Sequence, residues 1–97
     1  MRIIRWNKLA KSDFIENIDY LILNWSEKEA QNFINKVFEI ESVLEKGIID
    51  FQETDLKDIR RCVINKHISL FYKIIDEKNI EFLRFWNNLQ NPEKLYL

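Results

Sequence analysis

Residues 59–95 read IRRCVINKHISLFYKIIDEKNIEFLRFWNNLQNPEKL, and this stretch decides the fold. Apolar and polar residues alternate through Ile59 to Ile64, Ile68 to Ile75 and Ile80 to Trp86, the period of a β-strand. Asn65-Lys66-His67 and Asp76-Glu77-Lys78-Asn79 separate the three runs and predict tight turns. In the middle run, Ile68, Leu70, Tyr72 and Ile74 point one way, and Ser69, Phe71, Lys73 and Ile75 the other. Both faces are partly apolar, so both should be partly covered. Asn91-Pro92 ends the last run, because proline cannot donate to a sheet ladder.

Upstream the period changes. Arg2 to Trp6 is short and rich in β-branched and aromatic residues, which predicts another strand. From Leu9 onward, Ala10, Phe14, Ile18, Leu21, Ile22 and Trp25 recur mostly at three- and four-residue steps, one face of a helix ending near Asn24. Asn7 is placed to cap its start. Ser26-Glu27-Lys28-Glu29 is a capping box, with the Ser26 hydroxyl on the Glu29 N–H and Glu29 reaching back to Ser26. The second helix carries Ala30, Phe33, Ile34, Val37, Ile40 and Leu44 as its stripe. Gly47, the one glycine, predicts a left-handed C-cap. One or two residues between the helices make a tight helical hairpin. Ile48 to Leu56 has the mixed look of a loop packed on the core. The expected fold is α+β, in the order β-α-α-β-β-β: a small twisted antiparallel sheet with the helical hairpin on one face, as one domain over residues 1–97.

Composition narrows the function. At 97 residues with 46% hydrophobic content the chain can close one modest core. No run is long and apolar enough to cross a membrane, and MRIIRW turns polar too quickly for a signal peptide. The one cysteine, Cys62, excludes an internal disulfide and suits a reducing cytoplasm. No Cys/His cluster predicts zinc, and neither metal nor cofactor is expected. Net charge is −1, unevenly spread: residues 1–12 carry four cations and no acid, residues 13–55 sum to −8 and residues 56–97 to +3. Such a chain can meet a polyanion on one face, and a basic partner can equally use its acidic middle.

The chain resembles the RelE/ParE superfamily of bacterial toxins over nearly its whole length. NKLAKSDFIENIDYLILNW is similar to the family's first helix, IRRCVINKHISLFYKI to its central hairpin, and RFWNNLQNPEKL to its closing strand and tail. The resemblance implies the toxin of a type II toxin–antitoxin pair, a plasmid-stabilisation type of protein. A cognate antitoxin would wrap and silence it in a hetero-oligomer. Two mechanisms occur in the family: ParE-like members poison DNA gyrase, and RelE-like members cut messenger RNA on the ribosome.

Metal-free RNA cleavage needs a base for the 2′-hydroxyl, an acid for the leaving group and cations for the phosphate. Aligned on Phe71-Tyr72 and Asp76-Glu77-Lys78, Arg60 falls on one lysine position of the family's nucleases. Cys62 falls on the second lysine position, Ser69 on the arginine of the middle strand and Leu89 on the arginine after the last strand. Tyr96 stands one residue from the catalytic tyrosine. Three missing cations favour a binder over an enzyme. The candidates for a rearranged catalytic site are Arg60, His67, Arg84 and Tyr96. Those for partner binding are Arg61, Arg84, Trp86 and Leu89, with Arg84 and Trp86 sharing a strand face. Arg60 and Arg61 point to opposite faces; one is expected to pair with helix acids. His67, the one histidine, can titrate near neutrality; the plainer reading is an exposed turn residue. Cys62 reads as a small buried hydrophobe. Glu39, Glu41 and Glu45 read as a solvated helix face. Leu89, where the family usually has arginine, leaves open an attenuated homologue that still binds its antitoxin.

Overall fold

The computed structural model describes residues 1–90, 92–95 and 97. Two helices lie on one face of a five-stranded sheet. The elements are β1 (Ile3–Trp6), α1 (Lys8–Asn24), α2 (Glu27–Lys46), β2 (Gln52–Glu53), β3 (Ile59–Val63), β4 (Ile68–Ile74) and β5 (Asn79–Asn87), followed by a short 3-10 turn, Pro92–Lys94. The fold is α+β as expected, with two refinements. The sheet order is β1-β5-β4-β3-β2, and β1 runs parallel to β5, so the sheet is mixed. The supposed loop contains β2, which pairs antiparallel with Arg60 and Arg61.

The helix ends follow their local chemistry. Asn7 Oδ1 accepts from the Ala10 N–H at 2.7 Å, and Ser26 Oγ from the Glu29 N–H at 3.1 Å. Gly47 takes φ +69°, where a side chain would be strained, and its N–H returns to the Leu44 carbonyl. Arg2 reinforces this terminus, its Nε donating to the Leu44 carbonyl at 2.9 Å.

The core lies between hairpin and sheet. Phe33, Val37 and Leu44 of α2 meet Leu70 and Tyr72 of β4 and Ile80, Phe82 and Phe85 of β5. The first helix differs from its periodicity. Its sheet-facing buried residues are Ala10, Asp13, Asn17 and Leu21, while Ile22 and Trp25 are half-exposed. The sequence stripe merged two faces: one on the sheet, and one holding Phe14 and Ile18 beside α2.

Polar groups latch the segment after α2. The Phe51 N–H donates to Tyr72 Oη at 2.9 Å, Tyr72 Oη donates to Asp50 at 3.2 Å, and Arg2 pairs with Asp50 at 3.1 Å. Burial is the main reason that the Tyr72 phenol is pushed up to about 12, and burial likewise pushes the Cys62 thiol up to about 11. A group whose pKa rises on folding stabilises the fold below its unfolded pKa and loses that contribution as pH rises through the folded one. Stability to chemical denaturation should therefore hold to about pH 9 and fall progressively toward about pH 12. Tyr72→Phe should flatten the upper part of that fall, while costing about 1 kcal/mol near neutrality through the lost hydrogen bonds.

Candidate functional site on the open sheet face

The face away from the helices is built by strand alternation. Arg61 and Val63 of β3, Ser69, Phe71 and Lys73 of β4, and Glu81 of β5 project there. A register shift opposite Phe71 and Tyr72 lets β5 carry one extra residue, which brings Arg84 opposite Phe71 and Trp86 opposite Ser69. Two rows therefore cross the sheet: Arg61, Phe71, Arg84, and beside it Val63, Ser69, Trp86. Parallel pairing of β1 adds Arg5 opposite Glu81, with Lys73 on Glu81's other side.

Arg61 donates from Nε and Nη2 to Ser69 Oγ at 3.2 and 3.1 Å. This fixes the guanidinium and leaves donors unused, since a guanidinium has five N–H groups. Among the described residues, Arg5, Arg61 and Lys73 form no ion pair. The face thus offers Arg61 beside the half-buried Phe71, together with Arg5 and Lys73, which flank the Glu81 carboxylate.

The other candidates are spoken for. Arg84 forms a two-point pair with Asp13, Nε to Oδ2 at 2.7 Å and Nη2 to Oδ1 at 3.0 Å. The hydrogen bonds to Asp13 hold the Arg84 guanidinium above its usual range. Asp13 Oδ2 also accepts the Phe85 N–H at 3.0 Å, and Asn17 Nδ2 donates to the Phe85 carbonyl at 3.0 Å. Residues 13 and 17 sit one helical turn apart, so α1 caps the edge of β5 beyond the end of β1. Neither residue stood out in the sequence; the available signal was their place in the Ala10–Leu21 stripe. Trp86 does share a face with Arg84, whose guanidinium carbon lies 5.4 Å from the indole centroid, but at 5% exposure it offers no free contact surface.

Arg60 points to the helix side and binds the Phe51 carbonyl at 3.0 Å and Glu53 of β2 at 3.3 Å, rather than a helix acid. His67 is half-buried in the β3–β4 turn and stacks on Trp25 with centroids 5.1 Å apart, so the exposed-turn reading is corrected. Cys62 is buried, and its raised pKa removes the thiolate a nucleophile needs at neutral pH. Leu89 is 68% exposed, just beyond the turn where its N–H binds Asn87 Oδ1. Glu41 is not simply solvated: it accepts from the Trp6 indole at 2.7 Å. Tyr96 lies outside the described residues. Arg60, His67 and Arg84 do not converge: they serve the β2 latch, the β3–β4 turn and the β5 edge.

Against this geometry, the family described as the ParE toxin of type II toxin–antitoxin system, parDE, matches residues 4–92. The chain belongs to the ParE toxin family. No curated protein sequence matches it. Among solved structures, this ParE-family chain is similar to one from the chromosomal ParDE system of P. aeruginosa, with TM-score 0.71 and 16% identity, covering 90% of this chain and 96% of that one. A copper-bound mutant toxin from Helicobacter pylori gives TM-score 0.63 at 23% identity, covering 92% and 97%. A chain of the E. coli DinJ–YafQ complex gives 0.62 at 15%, covering 92% and 96%. At such identities the likeness is one of fold. Among the described residues, no helix is long and apolar enough to cross a membrane.

Proposed function

We propose that this ParE-family toxin acts in the cytoplasm by binding a cellular target such as DNA gyrase, and that a cognate antitoxin silences it in a hetero-oligomer. The observation that carries the reading is the state of the positions where family nucleases place cations. Cys62 is a buried thiol, Ser69 is wholly buried and serves Arg61, and Leu89 is apolar. Arg60, the one cation retained, is tied to β2. A face whose cations outnumber its carboxylate, with that carboxylate, Glu81, standing between Arg5 and Lys73, suits binding an anionic surface rather than general acid–base cleavage.

Purified protein should inhibit gyrase supercoiling, and Arg61→Glu should abolish the inhibition while leaving the thermal transition within a few degrees. A charge reversal in a contact region commonly costs several kcal/mol of binding, about a hundredfold or more. Normal supercoiling at high protein excess removes gyrase as the target.

A second reading keeps RelE-like ribosome-dependent cleavage, favoured by Arg61, Lys73 and Phe71 lying on one face, since cations with an aromatic can hold single-stranded RNA. Ribosomes programmed with a short message would then show cuts that Arg61→Glu removes.

A further inference from the structure

We infer that Ser69 is the positioning residue of the open face: its hydroxyl clamps one edge of the Arg61 guanidinium and so aims the other edge, still charged, at the target. This role rests on the open face being the contact surface of the proposed toxin.

The arginines of the sheet are held in two different ways. Arg84 is gripped by the Asp13 carboxylate, and Arg60 by the Phe51 carbonyl together with Glu53. Arg2, just before β1, is paired with Asp50. Each of these three is fixed in place and neutralised by an acid. Arg61 is fixed by a hydroxyl alone. Ser69 Oγ accepts from its Nε and Nη2, and Arg61 makes no ion pair among the described residues. A neutral acceptor orients a guanidinium and leaves its charge whole, which a carboxylate in the same place would not.

Strand geometry makes the clamp. Across the β3–β4 pair Arg61 stands opposite Phe71 and Val63 opposite Ser69, so the hydroxyl is the diagonal neighbour of Arg61, within reach of a long side chain. The guanidinium therefore runs along the sheet past Phe71 instead of out into solvent. Ser69 is wholly buried, which shields both hydrogen bonds from competing water.

The choice of atoms decides what remains. Nε and Nη2 form one edge of the planar group, and Ser69 occupies it. The Nη1 N–H groups and the second Nη2 N–H are left, and together they make the fork at the end of the side chain. Such a fork meets an acceptor with two oxygens through two parallel hydrogen bonds. Because its aim is set before the target arrives, less side-chain freedom is lost on binding. Arg61→Lys keeps the charge, but an ammonium is a single point with no second edge to clamp.

Half-inhibition of gyrase supercoiling, measured for Ser69→Ala, Arg61→Lys and the double variant, tests the clamp. Each single change should raise the dose about fivefold to tenfold, the scale of one long side chain ordered in advance. The double variant should need about the same dose as either single one, because the advantage of arginine over lysine disappears once the clamp is gone. A serine that merely filled space would give factors that multiply, and that result overturns the positioning role. The same cycle, read as the inducer dose that halves growth rate, applies if the cell's target is not gyrase. Should Ser69→Ala fail to fold, NMR of the wild-type protein decides. The Arg61 Nε–H should be as rigid as the backbone and slow to exchange with water, unlike that of Arg5, which makes no side-chain hydrogen bond among the described residues. An Arg61 signal as mobile as that of Arg5 overturns the role. A wild-type protein that neither inhibits supercoiling nor arrests growth overturns the reading of the face, and the role with it. An active wild type whose changes simply multiply overturns the role alone.

Discussion

Asp13→Ala should be among the most destabilising single changes in the chain, costing about 3–5 kcal/mol. Asp13 carries three loads at once: it neutralises Arg84, orients it, and accepts the backbone N–H of Phe85. Both side chains are largely buried, at 9% and 14% exposure, so the attraction is weakly screened and an orphaned guanidinium has little water to turn to. The change also strands a buried N–H at the sheet edge, adding a desolvation penalty. In a domain this small each kcal/mol moves the melting temperature by about 4–8 °C, so a drop of roughly 15 °C or more is expected in a calorimetric or circular-dichroism melt. Asp13→Asn should cost less, because the amide oxygen can still accept from Phe85. Combining Asp13→Leu with Arg84→Met should recover part of the loss, since it removes both charges rather than one. A shift of only a few degrees for Asp13→Ala would show that Arg84 reaches solvent without penalty.

Phe85→Ala should match it by a different route. The Phe85 ring lies 5.0 to 6.2 Å, centroid to centroid, from Trp6, Phe14, Phe33 and Phe82, and so joins β1, both helices and its own strand. Truncation removes the apolar transfer energy and leaves a void that four rings of fixed shape cannot close. The expected cost is about 3–5 kcal/mol, enough to leave much of the protein unfolded if its total stability is toward the lower end of the usual range. Phe85→Leu, which keeps most of the volume, should cost clearly less. If the two variants melt together, edge-to-face ring geometry rather than volume holds the cluster.

These two residues also mark how far the sequence could be read. The helix ends were legible because each rests on a local rule: an amide oxygen at Asn7, a hydroxyl at Ser26, an αL glycine at Gly47. Strands β3, β4 and β5 were legible from period-2 alternation. Asp13 was not, because a carboxylate in a helix ordinarily faces water, and what keeps it inside is an arginine 71 positions away. The parallel placement of β1 was hidden for the same reason: periodicity identifies a strand but not its neighbour. At the site, the opposed faces of Arg60 and Arg61 followed from adjacency alone. The choice of Arg61 as the unpaired one depended on β2, two residues long and too short to announce itself. The extra residue in β5 had no local mark, yet it is what sets Arg84 beside Phe71.

The pairing of β1 with β5 has a bearing on how the protein is made. The first strand lies against the last, Ile3 opposite Asn79, and β5 is flanked by β1 and β4. On a ribosome, the N-terminal strand emerges long before its template exists, and the hairpin helices have no β5 to bury their aromatic faces against. Contacts this distant in sequence close late and set the pace of folding. The Arg61–Phe71–Arg84 row is therefore assembled only after β5 has left the exit tunnel. A chain broken off before β5 lacks the surface on which the proposed toxicity depends, so translation through β5 acts as a built-in delay between synthesis and action.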